Sequence, residues 1–174
     1  MEGEQFKTLF TPEAIQARIK QLGKQITQDY RGQEITALCV LKGAFIFTAD
    51  LVRAIDLTVY CEFMRVSSYG EGKVSSGNVK VLLDIDPRQV KGKHVLLVED
   101  IVDTGNSIVF MKQHLAQYQP ASVKVCALLF KEAKLEHPLQ VEYVGFKIDP
   151  LFVIGYGLDL AEKYRNLPAV LVHV

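Results

Sequence analysis

The segment His94-Val95-Leu96-Leu97-Val98-Glu99-Asp100-Ile101-Val102-Asp103-Thr104-Gly105-Asn106-Ser107 narrows the possible folds more than any other part of this 174-residue chain. An apolar strand, residues 94–98, leads straight into two adjacent acids. A third acid then precedes a Thr-Gly-Asn-Ser turn. Residues 106–118 follow with Ile108, Val109, Met111 and Leu115 as a helical apolar stripe, and Ser122–Phe130 is a second apolar strand. Strand, helix, strand is the βαβ unit, so the pattern predicts an α/β fold with a mostly parallel central sheet.

In open α/β sheets ligands bind beyond the carboxyl ends of the strands, where these polar groups fall. A Thr/Gly/Asn/Ser turn at a helix start offers N–H groups and hydroxyls to a phosphate, and Gly105 lets the backbone approach closely. Adjacent carboxylates repel anions but accept hydrogen bonds from a vicinal diol and attract magnesium. Acids beside a phosphate cradle suggest a ribose 5-phosphate pocket. The plainer alternative is an acidic turn before an N-capped helix.

The remaining elements fit the same architecture. Thr11-Pro12-Glu13 reads as N-cap, first-turn proline and early acid, and Ile15, Ile19, Leu22 and Ile26 continue as an amphipathic helix. Ile35–Leu41 has the length of a buried strand and stops at Lys42-Gly43, after which residues 44–52 suit a helix. Residues 57–66 and 79–85 are further strand candidates, with residues 142–148, 152–155 and 169–174 as short strands. Between them, residues 67–78 are rich in Gly, Ser and charge and read as a long loop or hairpin tip. Asp84-Ile85-Asp86 before Pro87 reads as a turn rather than a metal site. With no repeat or linker, residues 1–174 are expected to form one domain.

Composition excludes several classes. Twenty Lys and Arg balance twenty Asp and Glu, which argues against a dedicated nucleic-acid or anionic-membrane binder. Hydrophobic residues at 49% argue against disorder, and no apolar run reaches the length of a membrane span. The acidic start is not a signal peptide, and Cys39, Cys61 and Cys126 lack pairing motifs, so a reducing cytoplasm is expected. The four histidines lack ligand spacing for zinc.

The sequence from Val95 to Ser107 resembles the phosphoribosyl-diphosphate (PRPP) signature of type I phosphoribosyltransferases: four hydrophobics, two acids, two hydrophobics, then Asp-Thr-Gly. Leu41-Lys42-Gly43, Ser68-Tyr69-Gly70, Leu129-Phe130-Lys131, the run from Phe152 to Asp159, and Tyr164-Arg165-Asn166-Leu167-Pro168 narrow the likeness to the hypoxanthine(-guanine) branch. The resemblance covers nearly the whole chain after about residue 10, in order. It implies a small hood subdomain built from the N- and C-terminal segments and a flexible catalytic loop carrying Ser68 and Tyr69. It also implies purine salvage, with the 5-phosphoribosyl group of PRPP passing to hypoxanthine and guanine to give IMP or GMP and diphosphate.

Roles follow by the same resemblance. Glu99 and Asp100 correspond to the acids that hold the ribose hydroxyls and the magnesium environment, and Asp103 to the general base facing purine N7. Thr104, Gly105, Asn106 and Ser107 correspond to the 5-phosphate cradle; Lys42, Gly43 and Arg165 correspond to diphosphate ligands, with the Leu41-Lys42 bond often cis. Lys131 would donate to the purine six-position oxygen, Phe152 would stack on the base, and Val153 would offer backbone contacts. Asp159 corresponds to an acid reaching Mg2+ through water and bordering the purine two-position.

A homodimer or homotetramer, no nucleic acid and no membrane partner are implied. The sequence departs from animal members in its shorter N-terminus and in Asn106-Ser107 where they carry Lys-Thr, and so looks bacterial. Alternatives that keep the fold are a xanthine-guanine or pyrimidine enzyme and a non-enzymatic RNA-binding regulator. A phospho-receiver domain gathers acids too, but from separate strands.

Overall fold

The apolar runs that begin at residues 35, 94 and 122 become three of the four inner strands of a six-stranded sheet. The computed structural model describes residues 5–68 and 79–173. The chain begins with β1 (Phe6–Phe10) and α1 (Pro12–Asp29), followed by β2 (Ile35–Leu41) and α2 (Phe45–Ala54). Next come β3 (Val59–Ser68), β4 (Val79–Leu83), β5 (His94–Val102) and α3 (Asn106–Ala116). The last elements are β6 (Ser122–Phe130), β7 (Tyr143–Lys147), β8 (Val153–Ile154) and β9 (Val170–His173). Strand order is β4-β3-β2-β5-β6-β7, all parallel except β4, which runs antiparallel to β3. The expected mostly parallel sheet is present.

Both faces of the sheet are covered, which is why its central strands are apolar throughout rather than alternating. In β5, Leu96 and Val98 pack with Ile15, Ile19, Leu22, Phe47 and Leu51 of α1 and α2. Val95 and Leu97 face the other way, onto Ile108, Met111 and Leu115 of α3. Thr11 caps α1 as its sequence signature predicts, its hydroxyl accepting from Ala14 N at 3.3 Å. Arg18 then ties that helix to β7 by donating to the carbonyls of Val144 and Gly145 at 2.6 and 2.9 Å. The longest helix, α1, is not apolar enough to cross a membrane, and no other helix among the described residues is either.

Two features differ from the sequence expectation. The strand read as ending at Val98 continues to Val102, because β6 pairs with it past the acids: Glu99 lies opposite Ala127 and Ile101 opposite Leu129. Ladder hydrogen bonds override the preference of acids for turns. The second difference is β1, which the sequence reading left unassigned. It joins β9 and β8 in a separate antiparallel sheet of order β1-β9-β8, with Phe6 opposite His173. N- and C-terminal segments thus build one small sheet over the main one, and Phe10 stacks on Phe146 of β7 at 4.0 Å between ring centres.

The two helices on one face meet at Gly23, which is buried in α1. A Cβ added there would run into the Ala54 carbonyl at the end of α2. Alanine normally gains about 1 kcal/mol over glycine inside a helix, but overpacking of this kind costs about 1–3 kcal/mol. Gly23→Ala is therefore expected to lower stability, read as a reduced urea midpoint with an unchanged slope.

Candidate active site

The carboxyl ends of β2, β5 and β6 open on the same edge of the sheet, and β8 with the segment that follows it closes over them. At the end of β2 the Leu41-Lys42 peptide is cis, and Gly43 turns the chain into α2. Glycine at 43 leaves room for the Asp100 carboxylate, which a Cβ there would displace. Gly157 (φ +100°) comes from the opposite side, and a Cβ on it would strike the Gly43 carbonyl. The Lys42-Gly43 turn is thereby pressed between β5 and the post-β8 loop.

Glu99 is buried and Asp100 partly so, since both ride in the strand rather than beyond it. Burial pushes the Glu99 carboxyl well above the usual carboxylate range, and the neighbouring Asp100 charge adds to it. Burial raises Asp100 too, opposed by the Ile101 N–H, which donates to Oδ1 at 2.9 Å, and by the nearby Arg165 charge. A cleft of about 100 Å³ lies beside them, lined by Glu99, Ile101, Val102, Asp103, Thr104, Gly105, Ser107 and Ile108. A larger cleft of about 540 Å³, lined in part by Leu9, Phe10, Phe130, Glu132 and Lys147, opens under the small sheet. The smaller one holds the phosphate-type turn.

Asp103 does not cap α3; Gly105 occupies the N-cap position at φ +85° without a side-chain bond. Instead Asp103 Oδ2 accepts from Lys131 Nζ at 3.3 Å and from Lys134 Nζ at 3.2 Å. Lys134 Nζ also lies 3.0 Å from Oδ1, yet that buried oxygen receives no aligned hydrogen bond. Lys131 is itself buried, its N–H bonded to the Val102 carbonyl. The turn after Asp103 is held from β6's side as well: Glu136 N donates to Thr104 O, and the Asn106 amide donates to Glu136 at 2.6 Å.

On the closing segment Phe152 is exposed while Val153 is buried. Tyr156, at φ +50°, donates its hydroxyl to Asp50 of α2 and so anchors the loop. Arg165 donates to the Gly157 carbonyl at 2.8 Å and pairs with Asp159 at 2.8 Å, while its buried Nε has no partner. Lys42 reaches across to Glu162 at 2.9 Å. Ala161 and Glu162, at φ +50° and +66°, form a two-residue turn closed by paired bonds between Leu160 and Lys163. Left-handed backbone at ordinary residues costs about 1–2 kcal/mol each, so something must hold this turn in place.

The structure therefore brings Glu99, Asp100, Asp103, Thr104, Gly105, Asn106, Ser107, Lys131, Lys42, Gly43, Asp159 and Arg165 to neighbouring strand ends and turns. The expected metal set of Glu99, Asp100 and Asp159 is not one cluster: no group of three or more acids, histidines or cysteines gathers among the described residues. Asp159 is committed to Arg165 and to the Glu162 N–H. Tyr69 lies outside the described residues, and Ser68 is the last residue of β3. Sequence reading missed Lys134, Glu136, Tyr156 and Glu162. Tyr156 lies within the 152–159 run but carries no role there; the other three lie in no motif, and only tertiary folding carries them to the site.

Comparison with known proteins agrees with this geometry. The phosphoribosyl transferase domain family matches residues 6–161. The hypoxanthine-guanine phosphoribosyltransferase of Aquifex aeolicus is 44% identical over 171 residues, covering 98% of this chain and 96% of that one. The hypoxanthine phosphoribosyltransferase of Salmonella typhimurium is 44% identical over 162 residues, covering 91% and 90%. A crystal structure of a Bacillus anthracis hypoxanthine-guanine phosphoribosyltransferase superposes with TM-score 0.92 at 45% identity, covering 97% and 98%. The chain belongs to the phosphoribosyl transferase domain family, on its hypoxanthine-guanine phosphoribosyltransferase branch.

Proposed function

We propose that this chain is a purine-salvage enzyme that transfers the 5-phosphoribosyl group of PRPP to N9 of hypoxanthine, and of guanine, releasing diphosphate. The observation that carries the reading is one corner of the sheet. There, β5 delivers the buried Glu99 and half-buried Asp100 and leads into Asp103 and a Gly105-centred turn, while the end of β6 delivers a buried lysine onto Asp103. Phosphoribosyl transfer needs each of these: an anion cradle for the 5-phosphate, acceptors for the ribose hydroxyls, a proton acceptor for the base, and a cation to orient it.

As the purine nitrogen bonds to C1′, the C1′–O bond to diphosphate breaks and the sugar carries positive charge in between. Glu99 and Asp100 accept the two ribose hydroxyls, and the positive charge that develops on the sugar favours their ionised forms. The N–H groups and hydroxyls of Thr104, Gly105, Asn106 and Ser107 hold the 5-phosphate at the start of α3. Asp103 takes the proton the purine loses, its carboxylate held between Lys131 and Lys134.

Lys131 turns its ammonium to the six-position oxygen of the base, which favours 6-oxopurines over adenine. Phe152 covers the ring and Val153 meets its edge through the backbone. Lys42, Gly43 and Arg165 receive the diphosphate, the Arg165 Nε having no other partner. The hard oxygens of Glu99, Asp100 and Asp159 suit magnesium held mainly by substrate oxygens and water, and bound so it would supply charge neutralisation on the diphosphate. The reading further assigns the chain to one catalytic domain, to the cytoplasm, and to a homodimer or homotetramer. No observation favours a xanthine-specific enzyme or an RNA-binding regulator.

The test is a spectrophotometric assay with PRPP, magnesium and each of hypoxanthine, guanine, xanthine and adenine. Turnover with hypoxanthine and not with adenine is expected, and Asp103→Asn is expected to lower it ~10²–10⁴-fold with the fold intact. No nucleotide formed from any purine overturns the reading.

Lys131→Ala is expected to raise the KM for hypoxanthine about 10–100-fold, the worth of a charged hydrogen bond of roughly 1.5–3 kcal/mol. The PRPP KM should move far less; equal rises in both would remove Lys131 from base recognition.

The acid pair gives a test that needs no substrate. Glu99 holds its proton more tightly in the folded chain than in the unfolded one. The stability it contributes is therefore present below the ordinary glutamate range and lost as pH rises toward its elevated folded value. Glu99→Gln is expected to gain thermal stability relative to the parent as pH increases from 5 to 8, with the two converging in acid. A constant difference across that range would contradict it.

A further inference from the structure

Glu162 lies between the two cations assigned to diphosphate, and nothing in the reaction calls for an acid there. Its carboxylate lies 2.9 Å from Lys42 Nζ and 3.5 Å from Arg165 NH2. The Lys42 contact joins residues 120 apart in sequence and is made by tertiary folding, while the Arg165 contact is a local i,i+3 pair. The backbone is bent to place it. Ala161 and Glu162 both occupy the left-handed region, and the Glu162 N–H is held by Asp159 Oδ2 at 2.8 Å. The carboxylate itself is well exposed, so it can swing away. Arg165 keeps one nitrogen, Nε, buried and unpartnered, so the cluster is not saturated by the acids already present.

We propose that Glu162 is an internal stand-in for the departing diphosphate: an affinity-setting residue that competes with that anion for Lys42 and Arg165. Bound PRPP or diphosphate displaces the carboxylate, and its return helps expel the product. The identity of the anion rests on the phosphoribosyl-transfer reading. Displacement costs the anion part of its attraction to the two cations, so this chain holds diphosphate less tightly than its cations alone would allow.

Isothermal titration calorimetry of the full chain with inorganic diphosphate and magnesium tests this, together with the KM for PRPP at saturating hypoxanthine. Glu162→Gln keeps the side-chain shape and removes the charge; it is expected to tighten diphosphate binding about 3–10-fold and to lower the PRPP KM in the same direction. Glu162→Asp, too short to reach Lys42, is expected to act likewise and serves if the glutamine variant misfolds. Glu34→Gln removes one charge at the far end of β2 and should leave both values unchanged. Unchanged or weaker diphosphate binding in both Glu162 variants overturns the proposal, weaker binding making Glu162 a contributor to the site. Equal tightening in Glu34→Gln also overturns it, by reducing the effect to net charge. If the parent chain makes nucleotide and binds diphosphate, a failure in the variants counts against Glu162 alone; if it does neither, the transferase reading itself has failed.

Discussion

Carrying Glu99 and Asp100 inside a paired strand is the constraint from which the remaining site geometry follows. A carboxylate removed from water costs several kcal/mol unless it is compensated, and here the sheet on either side is apolar. For Asp100 relief comes from the Ile101 N–H and from Arg165, which arrives from the far end of the chain. Gly43 must lack a side chain so that Asp100 has room, and Gly157 must lack one so that the loop bearing Arg165 can settle on Gly43. Two glycines, a distant arginine and the small sheet that holds it are all consequences of placing acids where a strand would ordinarily continue with valine.

Lys42, Lys131, Lys134 and Arg165 each meet an acid of the chain itself. Lys131 and Lys134 share Asp103, Lys42 rests on Glu162, and Arg165 spans Asp159 and Glu162. Such pairing lets four positive groups gather at neighbouring strand ends with their mutual repulsion offset by acids of the chain. Net charge zero for the chain as a whole thus coexists with a site assembled almost entirely from charge.

What could be read from the residues was whatever local chemistry fixes. The corner after β5, the capped α1 and the apolar runs of β2 and β6 announce themselves, because helix caps, Gly turns and periodicity are short-range signals. The family motifs extended that reading to Lys42, Lys131, Asp159 and Arg165. What escaped is decided at long range. Strand β1, FKTLF, has too little pattern to stand alone and becomes a strand only because β9 lies beside it. Continuation of β5 through its acids depends on β6, and the positions of Lys134, Glu136 and Glu162 depend on turns whose composition is unremarkable in sequence.

The pairing of the first strand with the last has a consequence for biosynthesis. During translation β2, β5 and β6 with their helices can collapse as soon as Phe130 has emerged, yet Phe6 waits for His173. Until Val170–His173 leave the ribosome, the segment carrying Val153, Tyr156 and Arg165 lacks the β9 strand that β8 pairs with. Between those two points of synthesis a nascent chain would expose a half-built, charged basin for the time taken to add some forty amino acids.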